Sequence, residues 1–163
     1  MANGKTLGFL VNPIAGMGGA VGLKGTDGTE TLKKALTLGA KPIAPARAEI
    51  FLSRIKPIMD KINLIVAAGL MGEDEARKVG LNFKVVGKRK HETTAEDTKY
   101  ASKLMAGKAD LLVFCGGDGT ARDILDAIDM KTPVLGVPTG VKMHSAVFAV
   151  NPESAAEIAA KFL

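Results

Sequence analysis

Gly116-Gly117-Asp118-Gly119-Thr120 is the stretch whose residue types and spacing could do chemistry. It follows the apolar run Leu111-Leu112-Val113-Phe114-Cys115 and precedes a helix-period segment, so it reads as a strand, a glycine turn and a helix start. Gly116, Gly117 and Gly119 lack Cβ and let a phosphate come close to main-chain N–H groups. The first helical turn adds unpaired amides and the positive end of the helix dipole. Such a seat takes an anion. Asp118 inside it would repel phosphate unless it carries Mg²⁺ or accepts a proton from an attacking hydroxyl, and both duties belong to phosphoryl transfer. Asp118 or Thr120 as a plain N-cap accounts for the same residues. The residues alone leave capping and catalysis in balance.

Two further stretches could reach the same seat. Between Asn12 and Gly28, glycines at 16, 18, 19, 22, 25 and 28 crowd the segment after the first apolar run. It is read as a ligand loop leaving the C-terminal end of a strand, against the competing readings of a flexible spacer and of a tight turn tied by Asn12. Thr139-Gly140-Val141-Lys142-Met143-His144-Ser145 follows the last apolar run. Lys142 could neutralise a phosphate, although a solvated lysine is the commoner outcome. A His144–Ser145 nucleophile pair is rejected, because neighbours in an extended segment point to opposite faces. Cys115 is expected to be a buried small hydrophobe closing its strand. Lys88-Arg89-Lys90-His91 reads as a solvated turn rather than a nucleic-acid footprint, which needs a wider patch. The similarity between Gly25-Thr26-Asp27-Gly28-Thr29 and Gly116–Thr120 is attributed to chance, since the flanks do not match. Neither Gly-x-Gly-x-x-Gly nor Gly-x-x-x-x-Gly-Lys-[Ser/Thr] occurs, so dehydrogenase and P-loop readings lose their main support.

These residues need a scaffold, and the sequence predicts an α/β one. Short aliphatic runs at Lys5–Val11, Ile62–Ala67, Phe83–Val86, Ala109–Cys115 and Val134–Val137 suit buried strands. Helix-period segments alternate with them. Ala121, Ile124, Leu125 and Ile128 fall at i, i+3, i+4 and i+7 on one helical face over Ala121–Asp129. Ala48, Phe51, Leu52, Ile55 and Ile58 make a longer stripe that Pro57 should end or kink. Thr29–Leu38, Asp74–Val79, Thr93–Gly107 and Pro152–Leu163 complete the helical set. The alternation implies an open, mostly parallel sheet with helices on both faces.

Composition narrows the partners. At 163 residues the chain fits one domain. Aromatics are 4%, with no Trp and one Tyr, which argues against a stacking platform for single strands of nucleic acid. The formal net charge of +5 favours anionic ligands without choosing among them. A single cysteine excludes an internal disulfide and any multi-cysteine metal site. No apolar run reaches the roughly 18 residues of a membrane span. The expectation is a cytoplasmic chain that binds small-molecule nucleotides, with no nucleic acid and no membrane, and with homo-oligomer formation through an open cleft left as an alternative.

The Gly-Gly-Asp-Gly-Thr segment resembles the signature of the superfamily joining NAD kinases, diacylglycerol and sphingosine kinases and phosphofructokinases. Phe9–Gly19, Gly22–Gly28 and Gly136–Ser145 extend the resemblance, in order, to the ATP-NAD kinase branch that includes the acetoin-catabolism X proteins. The resemblance implies an N-terminal α/β nucleotide-kinase domain over residues 1–163, with the family's β-rich C-terminal domain absent and little turnover by this chain alone. It implies transfer of a phosphoryl group from ATP, with Mg²⁺, to the 2′-hydroxyl of the NAD adenosine ribose, giving NADP and ADP. By the same resemblance Asp118 is the catalytic and metal-binding residue. Gly116, Gly117, Gly119 and Thr120 hold phosphate, and Asn12, Gly16, Gly18, Gly19, Thr139 and Lys142 line the cleft. A lipid kinase of the diacylglycerol type and a non-catalytic nucleotide-binding module are the alternatives.

Overall fold

A computed structural model describes residues 4–23, 29–128, 130–140 and 142–163. The Gly25–Gly28 part of the repeated pattern, Lys24, Asp129 and Val141 lie outside the described residues. The strands are β1 (Thr6–Val11), β2 (Asn63–Ala67), β3 (Lys84–Val86), β4 (Leu111–Gly116) and β5 (Val134–Pro138). All neighbours pair in parallel, in the order β3-β2-β1-β4-β5. The helices are α1 (Met17–Ala20), α2 (Thr29–Thr37), α3 (Ala44–Ile55), α4 (Glu73–Val79), α5 (Ala95–Met105), α6 (Asp118–Ile128) and α7 (Pro152–Phe162).

The pleat explains why the apolar runs lack polar alternation. Leu7, Phe9 and Val11 of β1, with Leu111, Val113 and Cys115 of β4, face α3, α4 and α7. Leu10, Leu112 and Phe114 face α5 and α6. Both faces are therefore apolar, as a parallel sheet covered on both sides requires. Phe9 stacks on Phe51 of α3 with centroids 5.4 Å apart. Pro57 ends α3 at Ile55, and the chain continues as a short 3₁₀ turn over Lys56–Ile58.

Three expectations are corrected. The helix read as Ala121–Asp129 begins at Asp118, so the aspartate is a helical residue and not a turn residue. On the same helix Leu125 is 49% exposed while Ile124 and Ile128 are buried, because a residue one step from Ile124 is rotated about 100° out of the packed face. The glycine-rich segment holds the short helix α1, with Gly16 as its left-handed N-cap.

Candidate functional site

β1 leads by way of α1–α3 toward β2 on one side, while β4 leads by way of α6 to β5 on the other. Connections that diverge from adjacent parallel strands leave a crevice at their C-terminal ends, where open α/β sheets bind ligands. Of the residues singled out in the sequence, Asn12, Gly16, Gly116, Asp118, Thr120 and Thr139 converge on this rim.

Asn12 follows β1 and is tied at three points. Its N–H donates to the Cys115 carbonyl at 2.9 Å, its Nδ2 donates to Thr120 Oγ1 at 3.0 Å, and its Oδ1 accepts the Ile14 N–H at 3.3 Å. The side chain thus clamps the end of β1 to the start of α6. Gly16 has φ 84°, and a Cβ there would fall on the Thr139 carbonyl oxygen. Only glycine allows the loop after β1 to lie against the end of β5 in that conformation. Gly116 is constrained similarly, since an added Cβ would lie 2.6 Å from Thr120 Oγ1. The Thr120 side chain is buried beneath the turn.

The first helical hydrogen bond at this end of α6 runs from the Ala121 N–H to the Gly117 carbonyl, at 3.0 Å. The amides of Gly117, Asp118, Gly119 and Thr120 precede it, which is the arrangement an anion uses. Gly117 is nearly open, since a Cβ added there would meet nothing nearer than Met143 Cε at 4.0 Å. Gly19 is exposed. Gly18 is buried, and its carbonyl accepts from the amides of Val21 and Leu23. Thr139 is 2% exposed, and its hydroxyl has no hydrogen-bond partner among the described residues. Lys142 is exposed.

Asp118 does not bond to its own helix in the way an N-cap would. Its Oδ2 accepts the His144 N–H at 2.9 Å, and its Oδ1 accepts the Ser145 N–H at 2.9 Å and the Ser145 hydroxyl at 2.7 Å. The loop after β5 therefore wraps over the first residue of α6. Partial desolvation pushes the Asp118 pKa up, but the donors from His144 and Ser145 outweigh it and hold the carboxyl below the usual range. The group is ionised near neutrality and is a weak base in this conformation.

The fit to a protein-held magnesium ion is poor. A carboxylate offers about four acceptor positions, and donors occupy three of them at Asp118. No group of three or more His, Cys, Asp or Glu that could hold a metal occurs among the described residues. Cys115 is fully buried and donates to the Ala44 carbonyl, with burial pushing its thiol far up, so it is a packing residue.

Ser145 and the His144 amide are the partners that sequence reasoning missed. Side chains of neighbours in an extended segment point to opposite faces. Consecutive main-chain N–H groups can turn to one carboxylate, and they carry no side-chain signature.

A doubly wound α/β domain with helix-terminal amides and an ionised carboxylate at its switch point belongs to the class of open-sheet folds whose ligand crevice lies at that point. Within that class, the family model for the ATP-NAD kinase N-terminal domain matches residues 7–163, and the chain belongs to that family. A comparison with curated proteins gives no match. No helix among the described residues is long and apolar enough to cross a membrane.

Proposed function

We propose that this chain is the ATP-NAD kinase-type phosphotransferase domain of its family, and that it directs the γ-phosphoryl group of ATP to the 2′-hydroxyl of the NAD adenosine ribose. The observation that carries the reading is Asp118, ionised at the β1/β4 crevice beside the amides of Gly117, Gly119 and Thr120. In the step, the ribose oxygen forms a bond to phosphorus as the bond to the ADP oxygen breaks, and one proton is released overall. The glycine amides stabilise the charge spread over the phosphate oxygens.

Asp118 takes the hydroxyl hydrogen bond at its remaining acceptor position, or in place of the Ser145 hydroxyl. Its low basicity is compatible with this role, because phosphoryl transfer passes through a loose transition state in which positioning and charge stabilisation dominate. Magnesium, in this reading, arrives on the ATP phosphates, which suits an ion that is usually bound through one or two carboxylates plus phosphate oxygens. The resemblance to the acetoin-catabolism branch and the cytoplasmic setting belong to the same proposal.

The test is NADP formation from NAD and MgATP, with diacylglycerol as an alternative acceptor and polyphosphate as an alternative donor. Asp118→Asn is expected to lower the rate by about 10² or more, the usual span for a positioned acid–base group. Full activity in that variant would remove Asp118 from the chemistry.

A further inference from the structure

Of the seven residues of α4, only Glu75 and Ala76 are buried, with the half-buried Val79 packed beside them. Both ends of the helix are glycines in conformations that other residues rarely adopt, Gly72 at φ 136° and Gly80 at φ 76°. Its outer ties are ion pairs, from Lys78 to Glu49 of α3 at 2.7 Å and from Arg89 to Asp74 and Glu73. The cation of each pair is more than half exposed, and such pairs hold weakly. The seating of α4 therefore depends on what Glu75 and Ala76 meet underneath.

Ala76 packs into the apolar cluster between the sheet, α3 and α7. Glu75 is sealed in beside it, and its Oε2 has no hydrogen-bond partner among the described residues. The charged groups around it give little relief. On α4, Asp74 repels its negative charge and Lys78 attracts it, but Lys78 is engaged by Glu49 of α3, which repels it as well. α3 also carries the half-buried Arg47, whose charge, like that of Glu75, is felt at the Cys115 thiol of β4. β2 and the turn Gly69–Met71, also packed on α4, bring no ionisable side chain. Burial pushes the Glu75 pKa up to about 7. The neutral acid suits this position, whereas the charged one lacks the donors that water would supply.

We propose that α4 is a proton-operated flap: with Glu75 neutral it lies closed on the sheet, and loss of that proton lifts its first turn about the flanking glycines until the carboxylate reaches water. The same turn carries Asp74 and Glu73, the partners of Arg89. Opening therefore releases Arg89 and adds a free positive charge to the basic segment Lys88-Arg89-Lys90. The device stands apart from Asp118 and from the phosphotransferase reading, so either can fail without the other.

Amide exchange on the full chain tests the flap, with each rate divided by its intrinsic chemical rate at the same pH. The Ala76 N–H, which donates to the Gly72 carbonyl at 3.0 Å, and the amides up to residue 79 should exchange through a local opening, while those of β4 stay more protected. The opening constant of α4 should rise about 50-fold from pH 5 to pH 8, because the carboxyl releases its proton near 7 when closed and near 4.5 when open. Glu75→Gln, which cannot ionise, should hold that constant within about 3-fold over the same range, and circular dichroism should show an unchanged fold. The Arg89 guanidinium signals should broaden as the flap opens in the parent and stay sharp in the variant. The proposal is overturned if the α4 amides exchange only together with those of β4, or if the opening constant is the same at the two pH values. It is equally overturned if Glu75→Gln keeps the parent's pH dependence.

Discussion

Asp118 opens α6 and Glu75 lies in the first turn of α4, both near the C-terminal rim of the sheet, yet their carboxyl groups are held in opposite states. Asp118 is partly exposed and receives three donors, so it stays charged. Glu75 is 5% exposed, and its Oε2 has no partner among the described residues. Burial, aided by Asp74 and Glu49 and opposed by its own amide and Lys78, pushes its pKa up to about 7. Helix position alone would favour the anion at both places. Donor supply and water access decide which acid keeps its charge.

The largest expected effect breaks the Asp118 side. Asp118→Ala strands the His144 and Ser145 amides and should cost about 2–3 kcal/mol, the scale for charged hydrogen bonds. Urea unfolding measures it, and amide exchange at residues 144 and 145 should accelerate well beyond the global change. Stability that survives unaltered, with those amides still protected, would mean that the carboxylate does not hold the loop.

Glu75→Gln tests the other side and should run the opposite way. The folded chain keeps a proton that the unfolded chain releases, so Glu75 makes stability fall as pH rises from about 4.5 to about 7. A shift of that size corresponds to about 3 kcal/mol. The glutamine still buries a polar group, so a gain of about 2 kcal/mol is expected at pH 8 and little at pH 4. Unfolding curves at the two pH values that coincide for parent and variant would contradict the raised pKa. Asp118 contributes with the reverse sign, because its depressed pKa makes the stability present above the ordinary carboxylate range and lost on acidification below it.

Ser145→Ala is the smallest change. It removes one of the three donors and should cost about 1 kcal/mol. The Asp118 carboxyl resonance should then titrate at a higher pH than in the parent. An unmoved titration would assign the low pKa to the main-chain amides alone.

Much of the scaffold was legible. All five strands lie within a residue or two of the aliphatic runs, and the central β1 and β4, buried on both faces, could not hide their composition. Pro57 marked the end of α3 for a covalent reason. The glycine turn at Gly116 was visible too, since close approach to Thr120 leaves no room for a Cβ. The burial of Glu75 was not legible, because the first turn of a helix is an ordinary place for glutamate. The ties of the basic segment were hidden for a related reason, as Lys88-Arg89-Lys90 reads as three equal charges until two of them find partners.

By itself the order of residues determined the alternating α/β class, the strands, and the presence of an aspartate among glycines at a helix start. Those features follow from side-chain size, polarity and backbone freedom within a few positions. Tertiary structure alone decided that Asp118 would be gripped by residues 26 and 27 places downstream and that Glu75 would be sealed away with its Oε2 unpartnered. Main-chain donors are the same at every position, and the path of the folded chain determines which of them meet a given carboxylate.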